Sequence, residues 1–162
     1  MERGAVFSAC GHYRYALWRC WRARGPRLLV VGLNPSTADA RVDDPTSRRC
    51  IGFARQWHYG ALWLANLYAW CSPHPDALWR QPDPIGPLND SWLGCLARDC
   101  DGILVAWGRM GQRNARDREV LNGALAGYRL SCLGRCRNGS PRHPLYLPES
   151  VAPLPFHSDN EN

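Results

Sequence analysis

The sequence contains no lysine, and all 20 of its basic residues are arginine. It also has no apolar run that approaches the roughly 20 residues of a membrane-spanning helix. The first residues, MERGAVFSACGHYRYALW, include no continuous apolar segment of the kind found in secretory signals. These absences lead us to expect a cytoplasmic protein without a membrane partner.

A metal-binding cysteine pattern is also missing, although the chain has eight cysteines. No two cysteines have C-x-x-C spacing, and Cys132 and Cys136, the closest pair, have no histidine pair nearby that would complete a zinc site. Thiols stay reduced in the cytoplasm. We therefore expect buried free cysteines, no metal and no cofactor.

The chain has 162 residues, 45% of them hydrophobic, and a formal net charge of +6. This length fits one globular domain. We expect residues 1–156 to form a single α/β domain, residues 157–162 to be a poorly ordered tail, and the protein to be a monomer. Arginine forms bidentate contacts with phosphate, so the positive charge favours nucleic acid or a nucleotide as partner. A base-composition bias would also explain the absence of lysine.

Strand and helix patterns alternate along the chain. Asp44-Pro45 predicts a helix start, with aspartate as N-cap and proline in the first turn. The alternation predicts a three-layer α/β/α fold with a central four-stranded, mostly parallel sheet, to which residues 13–21 add an N-terminal edge strand. The predicted strands are 28–31, 61–65, 102–107 and 130–133, and the predicted helices are 44–58, 90–98 and 113–128.

Polar residues follow three of the predicted strands. The first strand leads into Gly32-Leu33-Asn34-Pro35, the second into Asn66, and the fourth towards His143. Ligands of open α/β sheets bind beyond the carboxyl ends of the strands. Taken alone, Asn34 fits a turn, Asn66 a strand end and His143 a loop. Their shared edge is what favours a functional site.

The chemistry of these three side chains fits cleavage of an N-glycosidic bond. The carbonyl of Asn34 can orient a water molecule, and the amide of Asn66 can both donate to and accept from a base edge. His143 can donate a hydrogen bond to a leaving base that gains negative charge. We therefore predict Asn34 and His143 as catalytic residues and Asn66 as a base-binding residue.

Three longer motifs resemble an uncharacterised family of bacterial and phage proteins, a domain of unknown function. They are GLNPSTAD at 32–39, DDPTSRRCIGFARQW at 43–57 and GSPRHPLYLP at 139–148. The resemblance extends from about Tyr13 to Pro148.

More remotely, the chain resembles the uracil-DNA glycosylase superfamily. Gly32-Leu33-Asn34-Pro35 is similar to the motif whose asparagine positions the attacking water, and Leu64-Ala65-Asn66-Leu67 to the strand that binds the target base. His143-Pro144 is similar to the motif whose loop enters the minor groove. The resemblance implies a uracil-DNA glycosylase-like fold and base release from DNA. Ser36 and Leu145 depart from the pattern, because relatives commonly have glycine and serine there.

Other residues near the motifs complete the predicted site. We expect Phe53 and Tyr68 to stack on a base that has left the helix, and Gly32 and Pro35 to lie against it. The predicted contacts to nucleic acid are Ser36, Arg109, Arg135 and Arg142.

Two other functions remain open. The departure at Leu145 favours a hydrolase of free nucleotides or nucleosides. Because an amide activates water only weakly, a non-catalytic module that binds nucleic acid or a base is the second alternative.

Overall fold

In the computed structural model, residues 1–158 are described, and they form a mixed α/β fold around one seven-stranded sheet. Residues 159–162, part of the predicted tail, lie outside the described residues. The strands are β1 (Glu2–Phe7), β2 (Arg14–Cys20), β3 (Arg27–Gly32), β4 (Ala61–Asn66), β5 (Gly102–Val105), β6 (Leu130–Cys132) and β7 (Leu154–Phe156). Their order in the sheet is β1-β2-β4-β3-β5-β6-β7.

The centre of the sheet is parallel and its borders are antiparallel. Strands β4, β3, β5 and β6 pair in parallel and coincide with the four predicted strands. Antiparallel pairing adds β2 and β1 on one side and β7 on the other, so the sheet has seven strands rather than the predicted four. Residues 13–21 were expected at the edge, but β2 lies between β1 and β4.

Helices cover both faces of the sheet. The helices are α1 (Pro45–Gln56), α2 (Asn89–Asp99) and α3 (Arg116–Asn122). Successive side chains of β3 point to opposite faces of the sheet. Val30 lies in the core beneath α1, and Val31 lies in the core beneath α2 and α3. The mixed α/β class and the two helical layers are therefore as predicted.

The start of α1 agrees with the prediction from Asp44-Pro45. Asp44 is the N-cap, its Oδ1 accepts from the backbone N–H of Ser47 at 2.8 Å, and the Ser47 hydroxyl accepts from the backbone N–H of Asp44 at 2.9 Å. This reciprocal capping box satisfies two N–H groups that the helix leaves unpaired. The helix ends at Gln56, slightly before the predicted end, and His58 adopts a left-handed φ of 66°.

The predicted helix at 113–128 is wrong for most of its length. Asn114 and Ala115 both have a φ of 56°, and this left-handed conformation prevents a continuous helix just before α3. A 3₁₀ segment, Arg109–Ala115, precedes α3, and the helix ends at Asn122. Helix α2, by contrast, closely matches the prediction for 90–98.

All eight cysteines are free thiols. Only Cys50 and Cys132 are buried, and Cys10 and Cys95 are exposed, so the expectation of buried thiols is wrong for most of them. Between residues 1 and 158, no helix combines the length and the apolarity that crossing a membrane requires.

Replacing Asp44 with alanine should lower the free energy of unfolding by about 1–2 kcal/mol, because the first turn of α1 loses its side-chain cap. Urea denaturation measures this loss. Asp44→Asn is the matched control, since asparagine keeps a capping oxygen, and it should lose less than half as much. Equal losses in the two variants would show that the charge of Asp44, rather than its cap, stabilises the helix.

Candidate functional site

A cavity of about 310 Å³ opens at the carboxyl ends of β3, β4 and β5. This volume lies at the lower end of the range for small-molecule sites. Asn34, Asn66 and His143 all line the cavity, as do Gly32 and Ser36. The structure thus brings the three residues of the predicted catalytic and base-binding set around one space.

Asn66 is the last residue of β4 and is only 6% exposed. Its amide nitrogen Nδ2 is buried and has no hydrogen-bond partner within residues 1–158. Gly32 lies opposite Asn66 in the parallel register, and a Cβ at position 32 would lie 2.8 Å from Asn66 Oδ1. Gly32 therefore leaves the space that the Asn66 side chain occupies. The unpaired Nδ2 is a donor available to a ligand.

The Asn34 amide is fixed by backbone carbonyls. Its Nδ2 donates to the carbonyl oxygens of Ser72 at 2.9 Å, Pro35 at 3.0 Å and Trp70 at 3.4 Å. These acceptors determine the amide orientation, because the reverse orientation would place Oδ1 against three carbonyl oxygens. Asn34 Oδ1 accepts no hydrogen bond from any described residue. It is the acceptor that this residue offers to a water molecule.

His143 is held as a neutral donor. Its Nδ1 accepts from the backbone N–H of Leu145 at 3.2 Å, so the neutral ring carries its proton on Nε2. Burial lowers the pKa of His143 below its ordinary value of 6.5, and the nearby Asp44 carboxylate offsets only part of that effect. At neutral pH the cavity therefore contains an uncharged imidazole with an Nε2–H donor.

Two charged side chains in the cavity wall were not among the predicted site residues. Arg14, the first residue of β2, is 4% exposed, and Asp44 is also buried. Burial raises the pKa of Asp44, but hydrogen bonds from Ser47 and Ala38 and the charge of Arg14 outweigh it, so the pKa lies below 3.8. Because β2 runs antiparallel to β4, its first residue reaches the edge where β4 ends. The rule that ligands bind beyond the carboxyl ends of the strands therefore does not predict Arg14, which begins a strand.

The two aromatic residues expected to stack on a base lie outside the cavity wall. Phe53 belongs to α1, is buried in the core between this helix and the sheet, and stacks on Trp57. Tyr68 is buried on the opposite face of the sheet, where its hydroxyl donates to the carbonyl of Arg113 at 3.3 Å. Pro35 also lies outside the wall. The structure therefore does not place these three residues in this cavity wall, and their contact with a base stays a prediction.

The three arginines expected to bind nucleic acid are exposed and lie outside the cavity. Arg135 donates to the carbonyl of Gly139 at 3.0 Å and lies over the Phe156 ring at 4.5 Å. Arg142 donates to the carbonyl of Arg135 at 3.3 Å, and the carbonyl of Arg109 accepts from Asn138 at 3.0 Å. These contacts hold the loop after β6 in place, and a role in nucleic-acid binding stays a prediction.

A cysteine nucleophile does not fit the cavity. Cys50 lies in the wall, but burial raises the pKa of its thiol to about 12, so it stays protonated and unreactive at neutral pH. Within the described part of the chain, no group of three or more His, Cys, Asp and Glu side chains is arranged to hold a metal ion.

The fold and the cavity define a mixed α/β protein with a largely apolar cavity at the edge of its sheet, into which a few polar side chains are set. The chain belongs to the family described as "Protein of unknown function (DUF1643)", whose sequence profile matches residues 14–145. Searches of curated proteins and of solved structures gave no match. The matched range begins at Arg14 and ends at Leu145, so it contains every residue of the cavity wall.

Two buried asparagines should respond oppositely to the same substitution. Asn66→Leu removes an unpaired buried amide, so it should leave the free energy of unfolding unchanged or raise it by up to about 1–3 kcal/mol. Asn89→Leu is the matched comparison, because Asn89 donates to the carbonyls of Asn66 at 2.9 Å and Leu67 at 3.1 Å. Asn89→Leu removes these hydrogen bonds and should lower the free energy of unfolding, measured by urea denaturation, by about 1–3 kcal/mol. Equal destabilisation would show that the Asn66 amide is structurally satisfied.

His143 should contribute to the pH dependence of stability. Its folded pKa lies below 6.5, so on acidification the unfolded chain takes up this proton first. The contribution is fully present above about 6.5 and is lost as the pH falls through the folded pKa. His143→Gln should therefore lose less unfolding free energy than the parent between about pH 7 and about pH 5. The exposed control His74→Gln should keep the parental slope, and a parental slope in His143→Gln would contradict the assignment.

Proposed function

We propose that the protein hydrolyses the N-glycosidic bond of a modified or mismatched base, which it binds in the cavity at the sheet edge. The observation that carries the proposal is the buried Asn66 Nδ2, which lacks a partner in residues 1–158 and shares this cavity with the Nε2–H of a neutral His143. A buried donor without a partner costs about 1–3 kcal/mol. A base that accepts from it would remove this cost.

The donors favour a base that carries ring carbonyls. Asn66 Nδ2 and His143 Nε2–H both need acceptors, and a pyrimidine with two carbonyl oxygens offers one to each. Asn66 Oδ1 can also accept from a ring N–H. Uracil-like and thymine-like bases have this combination of groups, whereas adenine has no ring carbonyl.

Each of the three residues has a separate role in the proposed reaction. Asn34 Oδ1 orients the attacking water, since its Nδ2 is already engaged by backbone carbonyls. His143 stabilises the negative charge on the departing base by a hydrogen bond from a preorganised neutral donor. Asn66 holds the base edge. The proposed hydrolysis needs neither a metal nor a redox cofactor.

The likeness of the Gly32–Pro35, Asn66 and His143-Pro144 segments to uracil-DNA glycosylase motifs supports this proposal. All three segments contribute residues to one cavity wall, beside parallel strands that are covered by helices. The free state of the cysteines fits a cytoplasmic enzyme that repairs or edits DNA.

Hydrolysis of free nucleotides or nucleosides is the second candidate. Arg109, Arg135 and Arg142 lie outside the cavity, whereas the buried Arg14 lies within its wall. A terminal phosphate on a small ligand would reach Arg14 more easily than the continuous backbone of a duplex.

A non-catalytic binding module is the third candidate. Asp44 is the carboxylate in the cavity wall, and its oxygens already accept from Ser47 and Ala38. No general base of ordinary strength is therefore free in the wall within residues 1–158.

Base release decides between these candidates. The purified protein is incubated with oligonucleotides that carry uracil, mismatched thymine or hypermodified pyrimidines, and with the matching nucleotides, and abasic products and free bases are measured. His143→Gln should slow release by about 100-fold or more. Asn34→Ala should abolish release, with its melting temperature measured alongside because Asn34 also bonds to backbone carbonyls. His74→Gln, outside the cavity, is the matched control.

Each outcome has a distinct meaning. Release from oligonucleotides with a steep salt dependence of binding supports a DNA enzyme, because phosphate contacts release counterions. Release from nucleotides alone supports the second candidate, and binding without release supports the third. Parental rates in a folded Asn34→Ala variant would rule out the water-positioning role.

A further inference from the structure

Arg14 differs from the other buried arginines. In residues 1–158, the buried arginines are Arg14, Arg19 and Arg116. Arg19 pairs with Asp43 at 2.8 Å, and Arg116 pairs with Asp90 at 2.6 Å and also with Glu119. No acidic side chain in the same residues forms an ion pair with Arg14. Arg14 is thus a buried cation without a direct ion pair, and the Asp44 carboxylate acts on its charge only from beyond contact distance.

The hydrogen bonds of Arg14 are also incomplete. A guanidinium has five N–H donors. In Arg14, Nη1 donates to the carbonyl of Ala38 at 2.8 Å, while Nε is buried and has no partner among the described residues. The nearby Asp44 already accepts from Ser47 and Ala38 at its own oxygens. The protein therefore leaves most of the donor capacity of Arg14 unused.

A buried guanidinium cannot relieve its desolvation by losing its proton, because arginine stays charged in proteins. A buried charge without a partner is strongly unfavourable. Arg14 lines the same cavity as Asn66 and His143, so a single small ligand can contact all three. An oxyanion on that ligand would supply the missing counter-ion and accept two N–H groups side by side.

We propose that Arg14 recognises an anionic group on the ligand, either the phosphate of a nucleotide or a carboxylate attached to the base. The proposal takes the position of the base from the proposed function. In that position the base contacts Asn66 and His143, and the oxyanion contacts Arg14. A neutral, unmodified base alone leaves Arg14 unpaired. The cavity therefore selects ligands by charge as well as by the base edge.

Calorimetric titration at constant ionic strength tests this selection. The probes form neutral and anionic pairs: thymidine with thymidine 5′-monophosphate, and uracil with 5-carboxyuracil. In at least one pair the anionic member should bind about tenfold tighter or more, since a hydrogen bond to a charged group contributes this much. A preference in the first pair identifies phosphate, and a preference in the second identifies a base carboxylate.

Arg14→Met should remove the preference while the neutral probe still binds. Arg14→Lys, which keeps the charge but loses the planar pair of donors, should retain part of it. Arg98→Met is the matched control, because Arg98 is exposed and pairs with the exposed Asp99, and it should keep the full preference. Equal binding of both members of each pair by the parent, or an undiminished preference in Arg14→Met, would overturn the proposal.

Stability without ligand gives a second readout. Arg14→Met removes an unpaired cation, so its melting temperature should equal or exceed that of the parent, whereas Arg116→Met breaks ion pairs and should melt lower. An unfolded Arg14→Met, or a fall like that of Arg116→Met, would assign Arg14 a structural role and contradict the proposal. Both readouts are independent of catalysis. If the protein releases no base but still prefers anionic probes through Arg14, the glycosidase proposal is rejected and the anion site is retained.

Discussion

The candidate site depends on the parallel pairing of β3 with β4. This register places Gly32 opposite Asn66. Because Gly32 has no Cβ, the Asn66 side chain can lie directly against the backbone of β3. A slip of one residue would turn Asn66 to the other face of the sheet. The chain leaves the end of β3 towards Asn34, so this register also sets where the Asn34 amide lies relative to the Asn66 amide.

Short-range patterns were enough to predict the parts of the structure that depend on neighbours in the sequence. The four parallel strands and the cap at Asp44 are of this kind. The convergence of Asn34, Asn66 and His143 on one cavity is long-range, and it was predictable because parallel strands end at the same edge of the sheet. Arg14 was not predictable in this way, because its place follows from the antiparallel course of β2. That course depends on pairing across about 45 residues of intervening chain, which no local pattern encodes.

The differences between the predicted and the observed positions have similarly specific physical causes. Phe53 and Cys50 belong to one helix, but a separation of three residues moves a side chain about 4.5 Å along the axis. Both side chains belong to the same core, but this distance leaves only Cys50 in the cavity wall. Tyr68 lies only two residues beyond Asn66, but β4 has ended by then, and the Tyr68 hydroxyl reaches the carbonyl of Arg113 in the segment before α3. The break before α3 was hidden because Ala115, a strong helix former, adopts a left-handed conformation without glycine as a signal.

Desolvation of the cavity lowers the pKa of both of its nitrogen bases, but at neutral pH only one of them is uncharged. His143 responds by remaining neutral, whereas Arg14 keeps its charge because no accessible pH removes its proton. A protein with a total stability of about 5–15 kcal/mol tolerates few buried groups of this kind, and here an unpaired amide and an unpaired guanidinium share one wall. Apolar side chains of similar size would make the same wall more stable. The arrangement is therefore better explained by complementarity to an acceptor-rich, negatively charged ligand than by the needs of folding.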